Sequence, residues 1–423
     1  MDANNIPTKS EGHSKRAVWS WAFYDWANSG FATVVLAGFF PLLFQDFWSS
    51  DTGPAESNLR LGWGNSIASV IIAMSAPILG AVADRSGTKK RFLFGSLLLG
   101  VIGTALLSGI EAGNWMPALF MFICASVGFM GANVFYDALL VSVAPASRWH
   151  IVSGLGFGLG YLGGGLLYLG CVIAALNPEL VGLKTSTEAA TTAFLVTAIW
   201  WTVFAIPLFL FVDEPAAKYK NEGSTWTYGF RQVARTIQHI RQLKPVWMFL
   251  FAYWLYIDAV DTVIRMAVAY GRSLGFERQD LIIALLIVQF VGFPAAIAFG
   301  YLGERLGPKR GIYLGLLVYI AICIWGAFIR QPWEFYVIAV MVGLVQGGVQ
   351  ALSRSFYARL IPASSAGEFF GFYNLLGKFA ALIGPPLFGL FGTWFGDVRY
   401  SMLSLIILLV GGGLLLWKVD DRS

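Results

Sequence analysis

A chain of 423 residues that is 57% hydrophobic and 13% charged is too poor in charge for an ordinary soluble domain, where roughly 25% of residues are charged. The formal net charge of +5 sits in short basic clusters at the ends of apolar runs, which argues against a nucleic-acid-binding surface and for a topological role. The three cysteines, Cys124, Cys171 and Cys323, all fall in apolar stretches and fit small buried hydrophobes, not a disulfide framework.

Apolar runs about 20 residues long, rich in Gly and aromatics, recur along the chain. They predict an all-α polytopic membrane protein. The polar residues 1–18 lead directly into segment 1, residues 19–44, with no small-residue cleavage site, so no removable signal peptide is expected. Segments 2 to 6 are residues 61–83, 92–110, 115–141, 151–176 and 191–212. Segment 5 carries Gly154, Gly156, Gly158, Gly160, Gly163, Gly164 and Gly165, which allow close helix approach. A polar linker, residues 213–244, follows, with a surface helix expected at residues 230–243. Segments 7 to 12 are residues 245–270, 281–302, 312–329, 333–352, 369–391 and 400–417, and residues 418–423 form a tail. Gly384, Pro385 and Pro386 should kink segment 11.

Twelve spans put both termini on one side. With the N-terminus cytoplasmic, 21 of the 29 Lys and Arg residues fall on the cytoplasmic side, which predicts internal termini by the positive-inside rule. The linker is then internal too. The domain organisation expected is two six-helix bundles, residues 19–212 and 245–417, joined by residues 213–244.

Between segments 2 and 3, residues 80–91 read G-A-V-A-D-R-S-G-T-K-K-R. Between segments 8 and 9, residues 300–310 read G-Y-L-G-E-R-L-G-P-K-R. Gly, acid, Arg, Gly and Lys keep register at an offset of 220 residues, as if one half-molecule were written twice. Glycine gives the turn its backbone freedom. The lysines are expected to anchor the loop at the anionic inner leaflet. Asp84 is placed to accept hydrogen bonds from the N-terminus of a neighbouring helix or to pair with an arginine, and Glu304 to do the same in the second half. Such contacts can form in one state and break in another, which is a gating role. Internal repeats of this kind build alternating-access transporters.

Gly80, Asp84, Arg85, Gly87, Lys89 and Lys90 match the signature loop of the major facilitator superfamily. Gly300, Glu304, Arg305, Gly307, Lys309 and Arg310 match its echo. The stretch W-A-F-Y-D-W-A-N-S-G-F-A-T at residues 21–33, with F-F-P at residues 39–41, resembles the vacuolar amino-acid effluxer-like family of fungi and its bacterial relatives. The resemblance covers essentially the whole chain. It implies the twelve-helix major facilitator fold, secondary transport and, from the fungal branch, amino-acid efflux. It also implies that helices 1, 4, 7 and 10 line the central cavity. The linker here is short, as in the bacterial branch.

Ionisable residues inside the bilayer are costly and functional by default. Segment 7 carries Asp258, Asp261 and Arg265 at i, i+3 and i+7, on one helical face. At 1.5 Å per residue, Asp258 lies about 20 Å from the inner end and Arg265 about 30 Å. Arg265 can pair with Asp261, leaving Asp258 the freer carboxylate and the best proton site. The alternative is a closed ion-pair network holding the bundle. Segment 1 carries Asp25 and Asn28, and segment 4 carries Asn133, Tyr136 and Asp137. Asp25 and Asp137 fall at similar depth in the cytoplasmic third, where they can bind a cationic group, carry a proton or close the inner gate, or else form a polar rim. Segment 10 offers Gln346 and Gln350, then Arg354 at its inner end. Segment 11 offers Asn374 and Lys378. Lys378 needs an acid partner or an anionic ligand, and the two glutamines can bond cargo or each other.

No G-x-x-x-x-G-K-[ST], H-E-x-x-H or C-x-x-C motif occurs, and no histidine falls in a predicted span, so ATP hydrolysis, a metal site and redox cofactors are not expected. The expected protein is a monomeric, proton-coupled inner-membrane transporter of a small polar, zwitterionic solute such as an amino acid, working without cofactors. The alternatives are a transporter or exchanger of organic anions or sugar-like metabolites, and a receptor on the same fold.

Overall fold

The computed structural model describes residues 14–214, 243–379 and 383–420. Among them every regular element is helical. The elements are α1 (Lys15–Trp48), α2 (Pro54–Ser86), α3 (Lys89–Leu107), α4 (Trp115–Val143), α5 (Trp149–Leu176) and α6 (Ser186–Phe211). The second half holds α7 (Lys244–Ser273), α8 (Arg278–Leu306), α9 (Pro308–Gly326), α10 (Pro332–Leu360), α11a (Ala366–Phe379), α11b (Gly384–Phe395) and α12 (Ser401–Trp417). Ten of these helices are long and apolar enough to cross a membrane. With the 17-residue α12 and the two-part eleventh segment they make twelve spans in two six-helix bundles. The surface helix expected in the linker lies outside the described residues.

Local chemistry sets the irregularities. In α1 the turns widen to π-type geometry over Phe31–Phe39 and Phe44–Trp48, on either side of Pro41, whose missing N–H interrupts the regular ladder. The described residues of the eleventh segment form two helices, α11a and α11b, on either side of residues 380–382. Pro385 lies at the start of α11b, where the missing N–H costs nothing.

The two halves match more closely than the repeated loop alone indicates. Helices α4 and α10 are both 29 residues long. Each is followed by Pro-Ala-Ser, a short 3-10 turn and the next helix. Trp115 and Pro332, Val143 and Leu360, and Trp149 and Ala366 all stand 217 residues apart. The pairing of helices repeats as well. Helix α2 packs on α11a as α8 packs on α5, and α5 meets α10 as α11a meets α4.

These contacts between halves run through glycines. A Cβ on Gly80 would lie 2.3 Å from the Gly367 carbonyl oxygen, and one on Gly154 would lie 2.7 Å from that of Ala296. Backbones this close need residues with no side chain. The three cysteines carry no disulfide, and Cys171 and Cys323 are buried.

Candidate gate and solute path

Where α10 nears its end, the side chain of Arg354 crosses into the first half. It is 3% exposed. Its Nη1 donates to Asp137 Oδ1 at 3.1 Å, and both Nη atoms reach Asp25 Oδ2 at 3.4 Å. Its Nε donates to Ser153 Oγ at 2.9 Å and its Nη2 to the Ser153 carbonyl at 3.1 Å. The guanidinium lies 4.3 Å from the Phe157 ring centroid, 4.8 Å from Trp21 and 5.4 Å from Tyr136. Tyr136 donates its hydroxyl to Asp25 Oδ2 at 2.8 Å, and Trp21 Nε1 donates to the Tyr136 carbonyl at 3.0 Å. Asn374, on α11a, adds a bond from Nδ2 to Asp137 Oδ2 at 2.9 Å. Asn28 and Asn133 bond each other directly.

The 217-residue offset explains this meeting. It places Asp137 and Arg354 at equivalent positions in the two halves, and likewise Phe157 and Asn374. An acid and a base at one symmetric position face each other when the halves close. Each is supported by the residue equivalent to the other's support.

The repeated loop sits at the same end of the bundle. Asp84 accepts from the Gly367 and Glu368 amides at 3.0 and 2.8 Å, and Lys89 Nζ lies 2.9 Å from Asp84 Oδ1. The carboxylate thus caps the N-terminus of α11a, where amides lack partners and the helix dipole favours an anion. Gly87 takes a left-handed φ of +61° to end α2, and Gly307 has φ +85° at the equivalent turn.

The lysines are engaged within the protein. Lys89 is 4% exposed. Lys90 Nζ donates to the Phe209 and Val212 carbonyls at 2.8 and 2.7 Å, and its backbone amide donates to Glu214. Lys309 Nζ donates in the same way to Trp417 and Val419 at 2.9 and 2.8 Å. Both cap helix C-termini, whose carbonyls otherwise lack partners. Lys90, not Lys89, is therefore the counterpart of Lys309. The first loop is one residue longer before its helix begins.

Glu304 does not repeat Asp84. It is exposed and makes no ion pair or hydrogen bond among the described residues. Arg305 and Arg310 are exposed beside it, and Arg85 is half-buried. Gly300 packs its backbone against His150, whose carbonyl would be 2.9 Å from an added Cβ.

His150 corrects the expectation that no histidine enters a span. It is buried in the first turn of α5, with Nδ1 2.7 Å from Ser355 Oγ. His13 and His239 lie outside the described residues.

On α7 the structure overturns the picture of Asp258 as the freer carboxylate. It is fully buried. It accepts from the amides of Ile383 and Gly384 at 3.0 Å each and from Thr262 Oγ1 at 3.3 Å. It caps α11b as Asp84 caps α11a. Asp261 and Arg265 do pair, at 3.9 Å, with their side chains 22% and 50% exposed. Gln346 Oε1 is buried with no hydrogen-bond partner. Gln346 and Gln350 are half-buried and form no bond to each other. The side chain of Lys378 lies outside the described residues.

In the sequence Arg354 stands at the edge of segment 10, and nothing singles out Ser153 or Phe157. The Pro-Ala-Ser repeat at residues 145–147 and 362–364 is the signal that aligns Asp137 with Arg354.

Among the described residues, the ion pairs and most hydrogen bonds between the halves lie at this loop end: Arg354 with its partners, Asp84 with α11a, His150 with Ser355, and Arg359 with the Ala146 carbonyl at 3.4 Å. Deeper in, Gln289 Nε2 donates to Thr33 Oγ1 at 3.1 Å. The two halves are bonded to each other at the end that carries the repeated loops.

Two six-helix halves meeting through glycine crossings, with paired signature loops, define a major facilitator superfamily transporter. Solved structures agree on the fold. The proton:xylose symporter XylE superposes with a TM-score of 0.75 at 12% identity, covering 96% of this chain and 95% of its own. The human organic anion transporter MFSD10 gives 0.71 at 14%, covering 95% and 99%. The chain belongs to the family described as vacuole effluxer Atg22 like, whose model matches residues 63–150 and 141–423. An uncharacterized MFS-type transporter, YxiO of Bacillus subtilis, is 39% identical over 96% of this chain and 95% of its own. Autophagy-related protein 22 of Coccidioides immitis is 28% identical over 67% of this chain and 51% of its own.

Proposed function

We propose that this protein moves a small polar, zwitterionic solute, an amino acid or related metabolite, out of a bacterial cell by proton-coupled alternating access. It sits in the inner membrane with both termini and the repeated loops in the cytoplasm, works as a monomer, and is not an enzyme. Its two rocking units are residues 19–212 and 245–417, with residues 213–244 between them. The observation that carries this is the Arg354 clamp. A buried guanidinium from one half is held by two carboxylates of the other, at the end where Asp84 also latches α2 to α11a. These directed contacts close one end and can be remade, as a gate requires. Export is supported by the family description, vacuole effluxer, and the bacterial setting by the relative from Bacillus subtilis. Proton coupling is supported by the two buried acids that share one arginine.

The test uses sealed proteoliposomes with a pH dye inside, to which amino acids, peptides, sugars and organic acids are added one at a time. A pH change driven by amino acids and absent in Arg354→Ala is expected. Labelled-solute counterflow without any pH change would contradict proton coupling, and movement of sugars or organic acids alone would contradict the cargo class.

A further inference from the structure

The clamp contains more than a latch needs. Every wall around the Arg354 guanidinium comes from the first half: Asp25 and Trp21 on α1, Asp137 and Tyr136 on α4, and Ser153 and Phe157 on α5. Three of the walls, Trp21, Tyr136 and Asp25, are fixed by contacts among themselves. Trp21 and Tyr136 stack at 4.4 Å between centroids, and Tyr136 holds Asp25. Gly156 leaves the room they need, because a Cβ there would lie 2.7 Å from Asp25 Oδ2 and 3.0 Å from both the Trp21 ring and the Tyr136 hydroxyl. Trp21, Tyr136 and Asp25 therefore keep their arrangement without α10, whereas the Ser153 hydroxyl donates to the Ala351 carbonyl of α10 at 2.8 Å and Asp137 accepts from Asn374 of α11a. When the halves part, Arg354 leaves with α10. A box of three aromatic rings and two carboxylates then faces the opening.

Such a box suits a planar, delocalised cation. Rings favour cations over their faces, and the Nε and both Nη positions each find an acceptor in the directions a guanidinium fork presents. A lysine-like ammonium, a point charge, would leave part of that acceptor set unused. Two carboxylates against one guanidinium also give the vacated pocket a charge that a neutral side chain would not match.

We propose that the first half carries a recognition pocket for the guanidinium group of the cargo, and that Arg354 fills this pocket as the cargo's stand-in while the loop end is shut. The cargo class is then guanidino compounds, for example free arginine and its decarboxylated form agmatine. Loading from the loop side requires a guanidinium to take the place that Arg354 vacates. The inference rests on the alternating-access function proposed above.

The test has two arms. In the first, methylguanidinium chloride and sodium chloride are titrated at equal ionic strength into purified Arg354→Ala protein by calorimetry, with thermal melting to show that it is folded. Binding of methylguanidinium at least about tenfold tighter than sodium, lost in Arg354→Ala/Asp137→Asn, is expected. Equal binding of the two salts by folded Arg354→Ala would overturn the pocket. In the second arm, wild-type proteoliposomes are loaded with labelled L-arginine. Counterflow competed by agmatine but not by leucine or glutamate is expected. Counterflow of neutral amino acids that neither arginine nor agmatine slows would overturn the cargo class. Methylguanidinium binding with no counterflow of any solute would support the pocket and contradict the transport function on its own.

Discussion

Arg354 is where single-residue changes should tell most. Removing one member of a buried, hydrogen-bonded ion network strands the others, typically at about 3–5 kcal/mol. Arg354→Ala leaves Asp25 and Asp137, 8% and 7% exposed, without their guanidinium, so it should melt lower and favour the opened loop end. Arg354→Lys keeps the charge but loses the fork and the ring contacts. It should restore part of the melting temperature and little of the solute-driven flux. Equal behaviour of the two variants would reduce the clamp to simple charge neutralisation. Asp84→Ala removes both capping bonds to α11a and the partner of Lys89. A lost N-cap costs about 1 kcal/mol. Here it should appear as greater labelling, by a water-soluble maleimide, of a cysteine introduced at Ser147 or Ser364, with the melting temperature only slightly lower.

At the scale of elements, two carboxylates do the same work at different depths. Asp84 caps α11a, and Asp258 caps α11b from the middle of α7. Asp258 thereby ties α11b, on the far side of the break, to α7. Asp258→Ala leaves the buried Gly384 amide and the part-buried Ile383 amide unpaired, which costs about 1–3 kcal/mol for a buried group. The expected outcome is a marked fall in melting temperature with the ratio of protons to solute unchanged in transporting vesicles. A changed ratio with unaltered stability would return Asp258 to the proton path. The glycine crossings make a related prediction. A Cβ on Gly371 would lie 2.8 Å from Pro77 Cα, so Gly371→Val should hold α2 and α11a apart. Cross-linking between α2 and α11a should then fail in this variant and succeed in the wild type.

Across the whole molecule, the fold is legible because its signals are large. Apolar runs of membrane length have few alternative structures, and the Gly, acid, Arg, Gly, Lys spacing recurs at one offset. The acids of helices 1 and 4 are legible too, since each is a polar exception in an apolar segment. What escapes is set by three-dimensional pairing. Arg354 reads as an end-of-segment cation until the 217-residue offset brings it opposite Asp137. Asp258 reads as unpaired because its partners are backbone amides at a helix break 125 residues away, and amides leave no mark in a sequence. The partners of Lys90 and Lys309 escape for the same reason: the carbonyls they cap belong to distant helix ends.

If Arg354 holds the loop end shut and the halves rock apart, the distance across that end must change. The most direct measurement is a spin-label distance between Ser147 and Ser364, which are exposed, 217 residues apart and placed in the equivalent turns before α5 and α11a. The labels are placed on a background lacking Cys124, Cys171 and Cys323. The account predicts one short distance for the solute-free protein, and a second, longer population that grows in Arg354→Ala and on adding the transported solute. A single distance unchanged by that substitution and by every solute would contradict it.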